Sequence, residues 1–299
     1  MEWISALREE GIALRTEVSG RELTTFGSGG SADCVVLPAS TAKLRAALAL
    51  FGAYGVPHDV IGGGSNLLFP DEGYRGALIR LTAFDSLRRE GAEIVAGAGV
   101  KLVRLSRFAA ECALTGAEFA CGIPGEVGGA VRGNAGAFGQ SISDGLREIE
   151  VLTKGGRIER LAASEIAMTE HSTDLSDGVI VLSARFALRK GDGAEIEARM
   201  REMTEKRRST QPHRPSAGSV FRRVGETPAA LLIERTGLKG MRIGGAELSK
   251  VHCNFIVNDG TATTKDFFDL AECVRERVRA LTGATLEYEV KRLCSTTEN

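Results

Sequence analysis

The run DVIGGGSNLLFPDEGYRG, residues 59–76, decides how the rest of the chain is read. Three consecutive glycines, Gly62, Gly63 and Gly64, follow a short apolar run and lead into Ser65, Asn66 and Leu67. Each glycine costs roughly 0.5–1 kcal/mol relative to alanine inside a regular element, because it has more backbone freedom to lose. Two arrangements would offset that cost. One is a turn at a strand end, where glycine supplies backbone angles other residues avoid. The other is a loop whose main-chain N–H groups come close enough to a ligand to grip its phosphates. The stretch alone leaves both open.

The whole chain narrows the classes. Its 299 residues suffice for two domains with a substantial core. The content is 43% hydrophobic and 26% charged, that of an ordinary globular protein. With 38 basic against 39 acidic residues, the chain has no surplus charge to release counterions from a nucleic acid. The opening MEWISALREEGIAL has neither the basic nor the apolar region of a secretory signal. No apolar run approaches the roughly 18 residues that span a bilayer. The six cysteines form no C-x-x-C pair and the four histidines are scattered, so no metal site is expected and a reduced cytoplasmic setting fits.

Helix and strand signals alternate along the first two thirds. Short apolar runs at 33–38, 58–62, 76–81 and 93–99 read as strands, as do REIEVLT, RIERLA and GVIVLSARFAL further on. STAKLRAALALFGAYG opens on a capping hydroxyl and stops at glycine, which predicts a helix. Leu102, Leu105, Ala109 and Cys112 recur at helical steps and line one face of another. After Leu188 the texture turns polar and then irregular, which places a domain boundary near residue 190. Beyond it, NFIVN and TLEYEV read as strands. A helix over 264–282 carries Phe267, Leu270, Val274, Val278 and Leu281 on one face.

A second glycine cluster is denser than the first. GAEFACGIPGEVGGAVRGNAGAFG, residues 116–139, holds eight glycines in 24 positions without simple repetition. No G-x-x-x-x-G-K-[ST] occurs, so a P-loop is excluded, and the spacing is not that of a dinucleotide fold's G-x-G-x-x-G. Two such loops can instead grip one extended diphosphate through nests of N–H groups.

Six segments, taken in order, resemble the UDP-N-acetylenolpyruvoylglucosamine reductase (MurB) family in its shorter form. They are LTTFGSGGSADCVVLP, VIGGGSNLLF, GIPGEVGGAVRGNAGAFG, QPHRPSAGSVFRR, LIERTGLKGMRIGGAELSKVHCNFIVN and LEYEV, and they cover nearly the whole chain. The resemblance implies an α+β fold: a FAD-binding domain of the vanillyl-alcohol-oxidase (PCMH) type over residues 1–190, then a smaller α/β substrate-binding domain over 191–299. It implies that Gly62, Gly63, Gly64, Ser65, Asn66 and Leu67 wrap the FAD diphosphate. Gly122, Ile123, Pro124, Gly125, Asn134, Ala135 and Gly136 would do so with them. Gly128 and Gly129 join that set or serve close packing.

The implied reaction reduces the enolpyruvyl group of UDP-N-acetylglucosamine enolpyruvate to UDP-N-acetylmuramate, with NADPH as reductant, in peptidoglycan precursor synthesis. Ser219 matches the family's proton donor, and Glu289 matches the glutamate that assists at the same carbon. Arg208 and Gln211 fall where the family contacts the UDP part. One position departs from the pattern. In AMTEHSTDL the family's Tyr-Arg is replaced by Thr169 and Glu170, and a carboxylate there would repel the substrate's own carboxylate. Arg132 and Arg222 are the candidate compensating cations. The alternative is a flavin- or UDP-sugar-binding paralogue of altered or lost activity.

Overall fold

The computed structural model describes residues 1–294, which form two compact units. The first comprises residues 1–14, 35–63 and 78–207. The second comprises residues 15–34 and 64–77 together with the described chain from 208 onward. The chain passes between them inside the strands Ala13–Ser19, Ser31–Leu37 and Tyr74–Ile79, and twice more, between Gly63 and Gly64 and between Arg207 and Arg208.

The first unit is built on a five-stranded antiparallel sheet. Its order is Ile158–Ala162, Leu146–Leu152, Ile180–Ala187, Glu93–Gly97, Leu87–Glu90. The strand read from GVIVLSARFAL lies at its centre and is buried at most positions, as its β-branched content suits. The helix Leu102–Glu111 buries Leu102, Leu105 and Ala109, the expected face; Cys112 caps its end half-buried rather than continuing it. The helix Thr41–Tyr54 begins at Ser40, whose hydroxyl accepts from Lys43 N, and stops at Gly55 in the left-handed region. Ile94, Val100, Leu105, Val127, Val131 and Ile149 belong to the common core of this unit.

In the second unit an antiparallel sheet runs Ser216–Ser219, Phe255–Asn258, Ala246–Leu248, Arg242–Ile243. The helix Thr264–Thr282 covers its core with Phe267, Leu270, Val274 and Val278. Leu281 does not join them and is 51% exposed, because the core ends one turn before the helix does. The expected strand TLEYEV also differs. Residues 285–290 make only an isolated bridge, Phe221 to Tyr288, with Glu289 N on Val220 O and Arg222 N on Glu287 O, both at 2.9 Å. Tyr288 is held by the helix behind it, its hydroxyl donating to Glu272 at 2.7 Å and Arg275 lying over its ring.

A buried polar knot fixes the start of that helix. Thr264 Oγ1 donates to Phe69 O at 2.6 Å and lies 2.6 Å from Ser28 Oγ, while Thr264 N donates to Asp71. Ser28 and Thr264 are both only 2% exposed. Thr264→Val keeps the shape and removes the hydroxyl, leaving buried groups unpaired at about 1–3 kcal/mol each. Urea denaturation of this variant is expected to show a lower midpoint; an unchanged midpoint would mean that water replaces the lost bonds.

Candidate active site

A cleft of about 690 Å³ opens in the first unit, within the usual range for small-molecule sites. Gly62, Gly128, Gly129, Glu126 and Arg132 are among its walls. The glycines here serve different purposes. A Cβ on Gly129 would meet nothing within 4 Å, and one on Gly62 or Gly63 would make only ordinary contacts, with Glu126 Oε2 at 3.6 Å and Gly125 Cα at 3.8 Å. None of the three has a left-handed backbone. Gly129 moreover lies inside the helix Val127–Arg132, where alanine would be favoured by about 1 kcal/mol. Nothing among the described residues calls for glycine at these places, and what they leave is bare backbone on or beside a cleft. Gly128 is different, since its Cβ would lie 3.0 Å from Ala98 Cβ, a packing role.

Gly64, in the second unit, is also structural. With φ at +65° and an added Cβ only 2.0 Å from Leu23 O, no side chain fits. Its carbonyl accepts from Thr25 N at 3.1 Å.

The second glycine segment is wound tightly in the first unit. Gly125 O accepts from Leu102 N and Ile123 N reaches Ala120 O. Against Gly122 lies Arg207, whose Cδ would be 2.9 Å from an added Cβ. Asn134 is 6% exposed and uses its whole amide internally, donating to Thr169 O at 2.9 Å and accepting from Ser143 N at 3.0 Å. Ala135 and Gly136 continue into a short hairpin with Gln140 and Ser141.

Charge in the first unit is unevenly compensated. Glu126 is buried at 7% exposure, and burial pushes its carboxyl above the ordinary glutamate value despite Arg80 at 3.3 Å. The Nε of Arg80 is buried without a partner among the described residues. Arg132 is committed to the 176–179 turn, donating to Ser176 O and Val179 O and pairing with Asp177 at 3.3 Å. Glu170 stands at the tip of the hairpin Met168–Thr169 and Ser172–Thr173, its side chain 58% exposed and 3.8 Å from His171. Asn134 and the bond from Thr173 Oγ1 to Arg132 O anchor that hairpin beside the second glycine segment.

The second unit brings Ser219 and Glu289 onto paired segments. Ser219 follows a bulge at which Gly218 takes φ +81°, the kind of irregularity that re-aims the next side chain. Val220 then accepts from Glu289 N. Asn66 reaches the same place: its Nδ2 donates to Glu289 O at 3.1 Å and its carbonyl accepts from Lys291 N at 3.1 Å. Leu67 and Leu68 pair in parallel with Lys291 and Arg292, and Ser65 O lies 3.6 Å from where a Cβ on Gly218 would sit. Arg222 is half-buried and its guanidinium has no partner among the described residues. Arg208 is exposed and Gln211 half-buried.

Three residues carry more than sequence reading gave them. Arg207, rather than its neighbour Arg208, turns inward. Glu126 is buried in the cleft. Asn66 ties the first glycine loop to Glu289. Only Arg207 had a usable signal, the lack of an acid one helical turn away, and it shows only once the helix is placed.

Comparison with known proteins places the chain in a family. Residues 32–162 match the family model described as FAD binding domain, and residues 211–293 match UDP-N-acetylenolpyruvoylglucosamine reductase, C-terminal domain. A protein of that name from Geobacillus kaustophilus is 42% identical over 88% of this chain and 87% of its own. One from Streptococcus pneumoniae is 41% identical over 94% of each. The crystal structure of MurB from Thermus caldophilus superposes with a TM-score of 0.81 at 33% identity, covering 95% of this chain and 99% of that one. A BBE-like 1 variant from Physcomitrella patens shares the fold alone, at 19% identity and a TM-score of 0.51 over 63% of this chain and 44% of its own. The FAD-binding part is thus of the α+β, vanillyl-alcohol-oxidase type, and the chain belongs to the UDP-N-acetylenolpyruvoylglucosamine reductase family.

Proposed function

We propose that this chain reduces the enolpyruvyl group of UDP-N-acetylglucosamine enolpyruvate to UDP-N-acetylmuramate, drawing on NADPH through non-covalently held FAD, as a step toward peptidoglycan. The observation that carries the cofactor is the bare backbone of Gly62, Gly63 and Gly129, which no internal contact requires. Bound FAD supplies the relay of a hydride from NADPH to the substrate's double bond. Main-chain N–H groups of Gly62, Gly63, Gly122 and Gly125 hold its diphosphate, and neutral donors suffice where the dielectric is low.

Hydride addition at the terminal carbon leaves negative charge on the inner carbon, beside the substrate's carboxylate, and that inner carbon then takes a proton. Ser219 donates it and Glu289 assists, each held in place through Val220. Of the two cations considered against Glu170, Arg222 fits better. Arg132 already serves the 176–179 turn, whereas Arg222 lies three residues beyond Ser219 with its guanidinium unspent. Arg208 and Gln211 contact the UDP part. In this reading most flavin contacts come from residues 1–190 and most substrate contacts from 191–299. The six free thiols suit a reducing cytoplasm, and no described helix is long and apolar enough to cross a membrane. Glu170 at an exposed hairpin tip supports the second reading, a paralogue of altered activity. Anaerobic addition of the enolpyruvyl sugar to NADPH-reduced protein separates the two. Reoxidation of the flavin is the reductase's result, and persistence of reduced flavin the paralogue's.

Gly129→Ala is expected to keep or raise the melting temperature, as a better helix former would, while weakening FAD binding at least tenfold by equilibrium dialysis. Unchanged affinity would remove the case for close ligand approach there. Gly64→Ala, by contrast, should fail to fold.

Glu126 gives a pH dependence of defined sign. Its carboxyl is raised by burial, so the stability it contributes is present below the ordinary glutamate range and fades as pH climbs through the raised value. Above that value a carboxylate faces the diphosphate. FAD affinity is expected to drop across this window in wild type and to stay flat in Glu126→Gln; parallel profiles would exclude Glu126.

Ser219→Ala is expected to leave flavin reduction by NADPH intact and to slow the enolpyruvyl step by about 10²–10⁴-fold, the usual range for a positioned acid. Stopped-flow traces of the two half-reactions decide, and equal slowing of both would speak against a proton-donor role.

A further inference from the structure

Among the described residues, Arg207 is a half-buried cation that no internal contact accounts for. It lies in the helix Gly193–Thr210, where Arg199 and Arg201 follow the ordinary rule. Arg199 pairs with Glu195 and Arg201 with Glu197, each one helical turn back, and Arg199 also reaches Glu118 at 2.9 Å. At the positions three and four away from Arg207 stand Met203, Thr204, Thr210 and Gln211, none of them acidic. Its guanidinium has no hydrogen bond or ion pair among the described residues, yet the side chain is half-buried. Burial pulls its pKa below the ordinary arginine value, with only the Cys121 thiol acting against that. The stem lies against Gly122, where a Cβ would come within 2.9 Å of Cδ, so the glycine makes room for the arginine as much as for a ligand. Cys121, next to it, lies against the same helix through Met200 O and Thr204 Oγ1, which fixes the distance between helix and loop.

An unpaired charge withdrawn from water is costly unless something compensates it. We propose that Arg207 is a cation of the flavin site, pairing with a negatively charged part of bound FAD beside Gly122. This rests on the reading that the glycine loops hold FAD. Two parts of the cofactor share the required chemistry: the diphosphate, charged at all times, and the ring system, which gains charge on reduction.

The test uses Arg207→Met, the charge-keeping Arg207→Lys, and Arg201→Met as a surface control. FAD affinity, the two-electron potential of the bound flavin and the melting temperature of the flavin-free protein are measured for each. Arg207→Met is expected to loosen FAD at least tenfold, or to lower the ratio of reduced- to oxidised-flavin affinity at least tenfold, about 30 mV for a two-electron couple. Loss of affinity at constant potential assigns the charge to the diphosphate, and a lowered potential assigns it to the ring. Arg207→Lys should recover most of either effect. The flavin-free Arg207→Met protein should melt no lower than wild type, because an uncompensated charge has been removed; a purely structural arginine would lower it. If affinity and potential in Arg207→Met match Arg201→Met, or only the UDP-sugar KM moves, the inference is overturned. Wild-type protein that takes up no FAD would overturn the underlying reading instead, and the two failures are distinct.

Discussion

The carbonyl of Leu23 leaves no space for a side chain at residue 64, and the course of residues 64–68 follows from that contact. Because Gly64 alone can occupy the place in its left-handed conformation, the backbone of the first glycine loop is pinned there, with Thr25 N on its carbonyl. Asn66 is then carried to the chain at 289–291, and Leu67 and Leu68 add a short parallel ladder to it. The loop is therefore more than a flexible cradle. Its last residues are part of the same construction that holds Glu289 against Val220, one residue from Ser219.

The same logic separates glycines that pack from glycines that leave room. Gly64 and Gly128 are demanded by neighbouring atoms, whereas Gly62, Gly63 and Gly129 are not. A glycine in a helix with open space above it is a stability cost with no internal return. Such residues mark where something outside the protein comes close. Electrostatics gives the matching signature: Glu126 is kept toward its neutral form by burial, and burial pulls Arg207 below the ordinary arginine value with no acid to meet it. A permanently anionic ligand suits both conditions.

The second unit supplies rigidity of another kind. Residues 285–290 do not form the strand their alternation suggests, yet they are firmly held. Tyr288 is gripped by Glu272, by Arg275 and by the rings of Phe221 and Phe268. Side-chain anchoring thus replaces a regular ladder, leaving Glu289 on a short, irregular segment whose register is fixed from behind.

Sequence by itself determined the family, the fold type and most of the elements. Capping residues, glycine stops and helical periodicity act over three or four positions, so the helix Thr41–Tyr54 and the packed face of Thr264–Thr282 were legible as far as Val278. The two glycine loops were legible for the same reason. Tertiary structure alone decided which glycine packs and which lies open, since Gly64 meets a carbonyl some forty positions back in the chain. It decided that Arg207 turns inward and Arg208 outward, and that Asn134 spends its amide on the hairpin carrying Glu170. Steric exclusion and charge compensation depend on atoms far apart in the chain, and no local spacing encodes them.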